Sequence, residues 1–159
     1  MKIGLIVYSR TGNTLSVATR LRDVLREAGR VAEIERIEVM GDPTQTPGEV
    51  EFRALPDPSP YDMIVFGSPV QGFSLCPVMV RYLDQMAPIA GKRVALLVTE
   101  AFPYPWLGGN RAVRQMTRMC EEKGAAVCGS GIVNWMKKRR EEQISRVVDR
   151  LSELACTIS

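Results

Sequence analysis

Short apolar runs alternate along the chain with longer segments in which apolar residues recur every three or four positions. The short runs are typical of buried strands, and the longer spacing is typical of amphipathic helices. The order is strand then helix, five times over, with an irregular second crossover. Such alternation predicts a parallel sheet with helices on both faces, a three-layer, doubly wound α/β fold. The predicted strands are 3–7, 31–39, 61–67, 94–98 and 127–133, and the predicted helices cover 15–28, 78–86, 113–120 and 144–154.

The predicted strands differ in how far they should be buried. Residues 31–39 alternate between apolar and polar side chains, which indicates a half-exposed strand near a sheet edge, whereas residues 94–98 are wholly apolar and should be central. Residues 41–60 are rich in proline and have no clear period. We interpret them as a long surface connection with one short helical turn around residues 48–52.

Distinctive loops follow the first, third and fourth predicted strands. In an open parallel sheet, ligands bind at the carboxyl ends of the strands, where the winding direction reverses. Each loop alone is a weak signal, but their shared position at strand ends predicts one binding site. The loops are residues 8–14, 67–74 and 99–110.

The first loop has the composition of a phosphate site. It joins an apolar strand to a helix N-terminus, where unpaired N–H groups and partial positive charge favour an anion. The alternative is that these residues only cap the helix, since Ser, Thr and Asn are ordinary caps. The loop lacks the lysine of a P-loop and the three spaced glycines of a dinucleotide site, which argues against an ATPase.

The third loop concentrates aromatic residues in a chain that is only 6% aromatic. Phe102, Tyr104 and Trp106 lie between prolines and glycines, and aromatic faces of this kind suit a flat heterocycle. The alternative is that these rings pack on neighbouring helices while the prolines stiffen the loop.

Composition narrows the chemistry. The chain has 159 residues, of which 45% are apolar and 25% charged, which predicts one domain covering residues 1–159. It contains no histidine, so triads with histidine and His-ligated metals are excluded. A net charge of +3 without clustered basic and aromatic residues argues against nucleic-acid binding. No signal peptide or membrane-spanning run is evident, and the four cysteines show no C-x-x-C pair, so we expect a cytoplasmic protein with reduced thiols.

The first loop, Ser9-Arg10-Thr11-Gly12-Asn13-Thr14, resembles the T/S-x-T-G-x-T phosphate loop of the flavodoxin family. The order of the predicted elements resembles the whole short-chain flavodoxin fold, which implies strand order 2-1-3-4-5 and an FMN cofactor. The resemblance implies that FMN places its phosphate in the first loop and its ring system between the other two, with a backbone group near Gly72 beside flavin N5. The implied cofactor-binding residues are Ser9, Arg10, Thr11, Gly12, Asn13, Thr14, Ser68, Pro69, Val70, Gln71, Gly72, Phe73, Thr99, Glu100, Ala101, Phe102, Tyr104, Trp106 and Gly109.

This resemblance implies an electron-transfer flavoprotein, and two departures keep an enzyme open as the alternative. Soluble flavodoxin carriers are typically acidic, whereas this chain is slightly basic, and its third loop is bulkier than a bare carrier requires. The alternative is an NAD(P)H-dependent FMN or quinone oxidoreductase, and a flavin-free binding module is a third possibility. We expect a redox protein or a small acceptor as partner, consider a homodimer, and assign no catalytic residue and no metal ligand.

Overall fold

Strands and helices alternate through residues 1–41, 47–101, 108–136 and 138–157, which are the residues that this computed structural model describes. The α-helices are α1 (Asn13–Glu27), α2 (Pro77–Gln85), α3 (Gly109–Glu122) and α4 (Arg140–Cys156), and a short 3-10 helix covers Pro47–Glu49. The strands are β1 (Lys2–Val7), β2 (Val31–Arg36), β3 (Glu38–Met40), β4 (Glu51–Ala54), β5 (Met63–Gln71), β6 (Ser74–Leu75), β7 (Arg93–Glu100) and β8 (Ala126–Asn134).

The main sheet has five parallel strands in the order β2-β1-β5-β7-β8. Without the short hairpin strands, this is the predicted order 2-1-3-4-5. As predicted, β2 lies at an edge and is partly exposed, and β7 is paired on both sides and buried almost throughout. The strands that precede the three candidate loops are β1, β5 and β7, which are neighbours in the sheet. The carboxyl ends of these strands therefore bring the loops together.

Two hydrophobic cores cover the two faces of the sheet. One contains buried residues of α2 and α3, and the other contains buried residues of α1 and α4. In the central strands β1, β5 and β7, buried residues alternate between the two cores, as side chains on a pleated strand must. In β1, for example, Leu5 belongs to the α1 and α4 core and Ile6 to the α2 and α3 core. The three-layer, doubly wound architecture predicted from the sequence is thus confirmed.

The connection after β2 differs from the prediction. The predicted second strand continues to residue 39, but β2 ends at Arg36 and a separate strand, β3, pairs antiparallel with β4 inside the proline-rich connection. The expected helical turn at residues 48–52 is found as a 3-10 helix at Pro47–Glu49, which overlaps it, and β4 begins at Glu51. The β3-β4 hairpin is short and half-exposed, so it carries too weak a hydrophobic period to be found in the sequence.

The second candidate loop also differs from the prediction. Residues 67–74 were expected to be a loop, but β5 continues to Gln71 and turns back into β6. Gly72 and Phe73 form the turn with φ values of 60° and 66°. Such a pair of left-handed residues gives the tight turn that matches the twist of antiparallel strands.

Two further properties accompany this fold. All four cysteines are unpaired, as expected, with Cys76 and Cys120 buried and Cys128 and Cys156 exposed. Among the described residues, no helix has the length and apolar character required to cross a bilayer.

Candidate functional site

A cleft of ≈ 230 Å³ opens at the carboxyl ends of β1, β5 and β7. All three candidate loops contribute to its walls, which is the arrangement that the strand order predicts. The lining residues are Arg10, Thr11, Asn13, Pro69, Val70, Gln71, Thr99, Glu100 and Ala101.

The first wall of the cleft is the start of α1. Gly12 precedes the helix with φ 92° and ψ −8°, a left-handed conformation that glycine adopts without strain. The Ser9 hydroxyl accepts a hydrogen bond from the N–H of Leu15 at 3.2 Å, so Ser9 does cap the helix. Within the described part of the chain, the backbone N–H groups of Gly12, Asn13 and Thr14 have no acceptor. The capping alternative therefore accounts for Ser9 but leaves most of the helix terminus available to an anion.

Thr14 connects the first wall to the third. Its hydroxyl lies 2.7 Å from the Thr99 hydroxyl, and the two residues are 1% and 3% exposed. Thr14 also contacts the backbone of β5, because a Cβ atom added at Gly67 would lie 3.2 Å from Thr14 Cγ2. The start of α1 is therefore fastened to the end of β7 beneath the cleft.

The second wall is the end of β5 and the hairpin beyond it. Pro69, Val70 and Gln71 are partly buried and face the cleft, whereas Gly72 and Phe73 lie at the exposed hairpin tip. Ser68 is fully buried, and its hydroxyl donates a hydrogen bond to the Pro69 carbonyl at 3.0 Å. Ser68 therefore supports the wall from inside.

A buried thiol lies under this wall. Cys76 is 0% exposed, and burial raises its pKa, although the Ser68 hydroxyl beside it acts in the opposite direction. Burial also raises the pKa of the nearby Tyr8 hydroxyl. Both groups are therefore protonated near neutral pH, and neither brings charge to the cleft floor.

The third wall is formed by Thr99, Glu100 and Ala101 at the end of β7. Glu100 is 3% exposed, and its carboxylate accepts a hydrogen bond from the N–H of Gly109 at 2.8 Å. Gly109 is the first residue of α3, so a negative charge on Glu100 is stabilised by the helix N-terminus. Burial nevertheless raises the pKa of Glu100, and the Gly109 hydrogen bond offsets this only in part.

Two glycines allow α3 to begin this close to the cleft. A Cβ atom at Gly109 would lie 3.0 Å from Glu100 Oε1, and one at Gly108 would lie 2.7 Å from Val70 Cγ1. Gly108 also has φ 140°, which other residues rarely adopt. The glycine pair thus lets the second and third walls meet at the start of α3.

The structure brings most of the sequence-predicted residues to the cleft, but only some of them line it. Nine line the cleft, while Ser9, Thr14, Ser68 and Gly109 support it from behind. The predicted aromatic residues Phe102, Tyr104 and Trp106 lie outside the described residues. Gly67 and Gly108 lie in the loops that were predicted to form the site, but neither was among the residues expected to bind the cofactor.

The chain was compared with protein-family models, curated protein sequences and solved structures. No protein-family model matches the chain, and no curated protein sequence matches it. Solved structures do match. The flavodoxin of Streptococcus pneumoniae superposes with a TM-score of 0.71 at 16% identity, covering 99% of this chain and 100% of that one. Flavodoxin 1 of Bacillus cereus gives 0.69 at 21% identity, covering 100% of both chains. An azoreductase of Bacillus anthracis gives 0.60 at 15% identity, covering 98% of this chain and 99% of that one.

These matches extend over the whole of each chain, and the order of the parallel strands agrees with them. The chain therefore has the flavodoxin-like fold.

Proposed function

We propose that this protein binds FMN without a covalent bond and carries electrons through it. One observation carries the proposal: a helix N-terminus opens into a cleft formed by the loops after β1, β5 and β7, and the backbone N–H groups of Gly12, Asn13 and Thr14 there have no acceptor among the described residues. That combination provides an anion site at one end and two walls for a flat group at the other. The flavodoxins with which the chain superposes support the same assignment.

The phosphate would be held by the start of α1. Thr11 is exposed at the cleft, and its hydroxyl has no partner among the described residues, so it is available to a phosphate oxygen. Asn13 lines the same end, and Arg10 supplies positive charge there. Thr14 offers its backbone N–H, since its hydroxyl is paired with Thr99. Hydrogen bonds to a charged acceptor contribute about 1.5–3 kcal/mol each, so a few of them can anchor the ligand.

The ring system would lie between the second and third walls. Pro69 and Val70 provide apolar contacts, and Gln71 provides a polar group at the edge. When bound, FMN supplies the redox chemistry, and the protein sets its orientation and its electrostatic surroundings. The buried carboxylate of Glu100 would oppose the addition of negative charge to the cleft.

The absorbance spectrum of the purified protein tests the proposal. Flavin absorption that survives desalting, together with release of FMN on denaturation, would support it. A colourless protein that fails to take up added FMN would overturn it.

A pair of matched variants tests the phosphate end. We expect Thr11→Val to weaken FMN binding about tenfold or more, because one hydrogen bond to a charged oxygen is lost. The control is Thr19→Val. Thr19 lies further along α1, and its hydroxyl donates a hydrogen bond to the Leu15 carbonyl in the preceding turn of the helix. Equal affinities of the two variants would show that the anchor lies elsewhere.

A second candidate function is an NAD(P)H-dependent FMN or quinone oxidoreductase, and the match to an azoreductase favours keeping it. The test is steady-state oxidation of NADH or NADPH by the FMN-loaded protein with a quinone acceptor. Sustained turnover would favour the enzyme, whereas reduction only by strong chemical reductants would favour the carrier.

A further inference from the structure

A row of exposed arginines lies on α3, the helix whose first residue, Gly109, contacts the cleft residue Glu100. Arg111, Arg114 and Arg118 are exposed and, with Gln115, line a shallow surface depression of ≈ 460 Å³. Their spacing of three and then four residues places them on one side of the helix, along about 10 Å of its axis. We call these three arginines the α3 arginine row.

The row has no acidic partner among the described residues. No ion pair within 4 Å joins its members to an acidic side chain in the described ranges, whereas Lys2, Arg20 and Arg139 each have one. Like charges three or four residues apart weaken a helix by about 0.2–0.5 kcal/mol per pair. This small cost is offset when an acidic surface docks against the row.

The row is continuous with the rim of the cleft. Gln115 lies between Arg114 and Arg118 on α3, and its side-chain carbonyl accepts a hydrogen bond from the N–H of Leu75 in β6 at 2.8 Å. The hairpin that contains Leu75 also carries Phe73, which is 50% exposed, and its backbone closely approaches Gly108 at the start of α3. An exposed aromatic ring beside arginines has the composition of a protein–protein contact surface.

From this arrangement we propose that the α3 arginine row and the Phe73 hairpin tip form the docking surface for an acidic redox protein. This inference rests on the proposed function, since the surface borders the candidate FMN cleft. The basic balance of the chain agrees with it, because a net charge of +3 attracts an anionic partner over distance. The expected partner is therefore acidic, whereas an acidic carrier would be expected to have a basic partner.

The test uses cytochrome c in its native basic form and in its succinylated acidic form. Each ferric haem that becomes ferrous takes one electron from the dithionite-reduced, FMN-loaded protein. We expect the second-order rate constant for the acidic form to fall as NaCl rises from about 20 mM to about 200 mM, and that for the basic form to stay level or rise. The opposite salt dependence would overturn the proposal even without any variant.

Matched charge reversals locate the surface. R114E/R118E and R146E/R150E each reverse two exposed arginines four residues apart, but Arg146 and Arg150 lie on α4, which covers the other face of the sheet. At about 20 mM NaCl we expect R114E/R118E to slow reduction of the acidic cytochrome about tenfold and R146E/R150E to slow it far less. Equal losses would show that only net charge matters and would overturn the proposal.

Two controls separate this inference from the proposed function. A neutral quinone reports whether the reduced protein donates electrons at all, so failure with every acceptor would count against the redox function. Binding of the FMN-free protein to immobilised succinylated cytochrome c reports the surface alone, and R114E/R118E should lower it. If R114E/R118E instead impairs only NADPH oxidation and leaves both cytochrome rates and this binding unchanged, the row serves a dinucleotide phosphate and the proposal is wrong.

Discussion

The hydroxyl pair of Thr14 and Thr99 offers a sharp test of how the cleft is held together. The two oxygens are 2.7 Å apart, and both residues are almost completely buried. Removing one hydroxyl leaves the other buried without its partner, at a cost of about 1–3 kcal/mol. Removing both forfeits only the net value of the hydrogen bond, about 1 kcal/mol, so the two changes should not be additive.

The choice of variants follows from the same distance. Two methyl groups cannot replace the two oxygens, because carbon atoms prefer a separation of about 3.5–4.0 Å, well beyond 2.7 Å. A methyl group facing the remaining oxygen at this distance would also be too close, so we use Thr14→Ala and Thr99→Ala. Each single variant should lower the free energy of unfolding by about 1–3 kcal/mol for the buried hydroxyl left without its partner, and by about 1 kcal/mol more for the methyl group that it loses.

Urea denaturation of the FMN-free protein measures all four members of this cycle. The double variant should be more stable than the sum of the single effects predicts, by about 1 kcal/mol or more. Additivity within about 0.5 kcal/mol would show that the hydroxyl pair does not connect α1 to β7 in the way described.

Other predictions concern individual groups around the cleft. Gly109→Ala should destabilise the protein by about 1–3 kcal/mol, because its Cβ would lie 3.0 Å from both Glu100 Oε1 and Ile132 Cγ2, and thermal denaturation measures this. Glu100 has a raised pKa, so the folded state binds its proton more readily than the unfolded chain does. The stability of the wild type relative to Glu100→Gln should therefore fall as pH rises through the acidic range and level off above the raised pKa. Urea titrations at several pH values measure this difference in stability. A difference that does not change with pH would refute the prediction. Labelling of the native protein by a thiol reagent should reach the exposed Cys128 and Cys156 and spare Cys76, whereas early modification of Cys76 would contradict its burial.

The architecture could be predicted because it rests on local periodicity. The fully apolar runs and the helical spacing of residues such as Leu21 and Leu25 depend only on the neighbouring sequence, and both residues are indeed buried on α1. The convergence of three loops followed from topology, since parallel strands place their carboxyl ends along one edge of the sheet.

The details of the cleft depend on contacts between distant residues and could not be predicted in the same way. Thr14 and Thr99 are 85 positions apart, and nothing in either segment indicates that their hydroxyls pair. The hairpin after β5 was missed because its turn places Phe73 at φ 66°, a conformation that bulky residues rarely adopt. Glu100 could be expected at the cofactor site, but its burial and its contact with Gly109 required the structure.

The most direct test of the central claim compares FMN with riboflavin, which has the same ring system but no phosphate. Both ligands are titrated into the FMN-free protein, and quenching of flavin fluorescence reports binding. If the start of α1 is the phosphate anchor, FMN should bind at least about a hundredfold more tightly than riboflavin, because several hydrogen bonds to a charged group are lost together. Equal affinities, or no binding of FMN, would contradict the account.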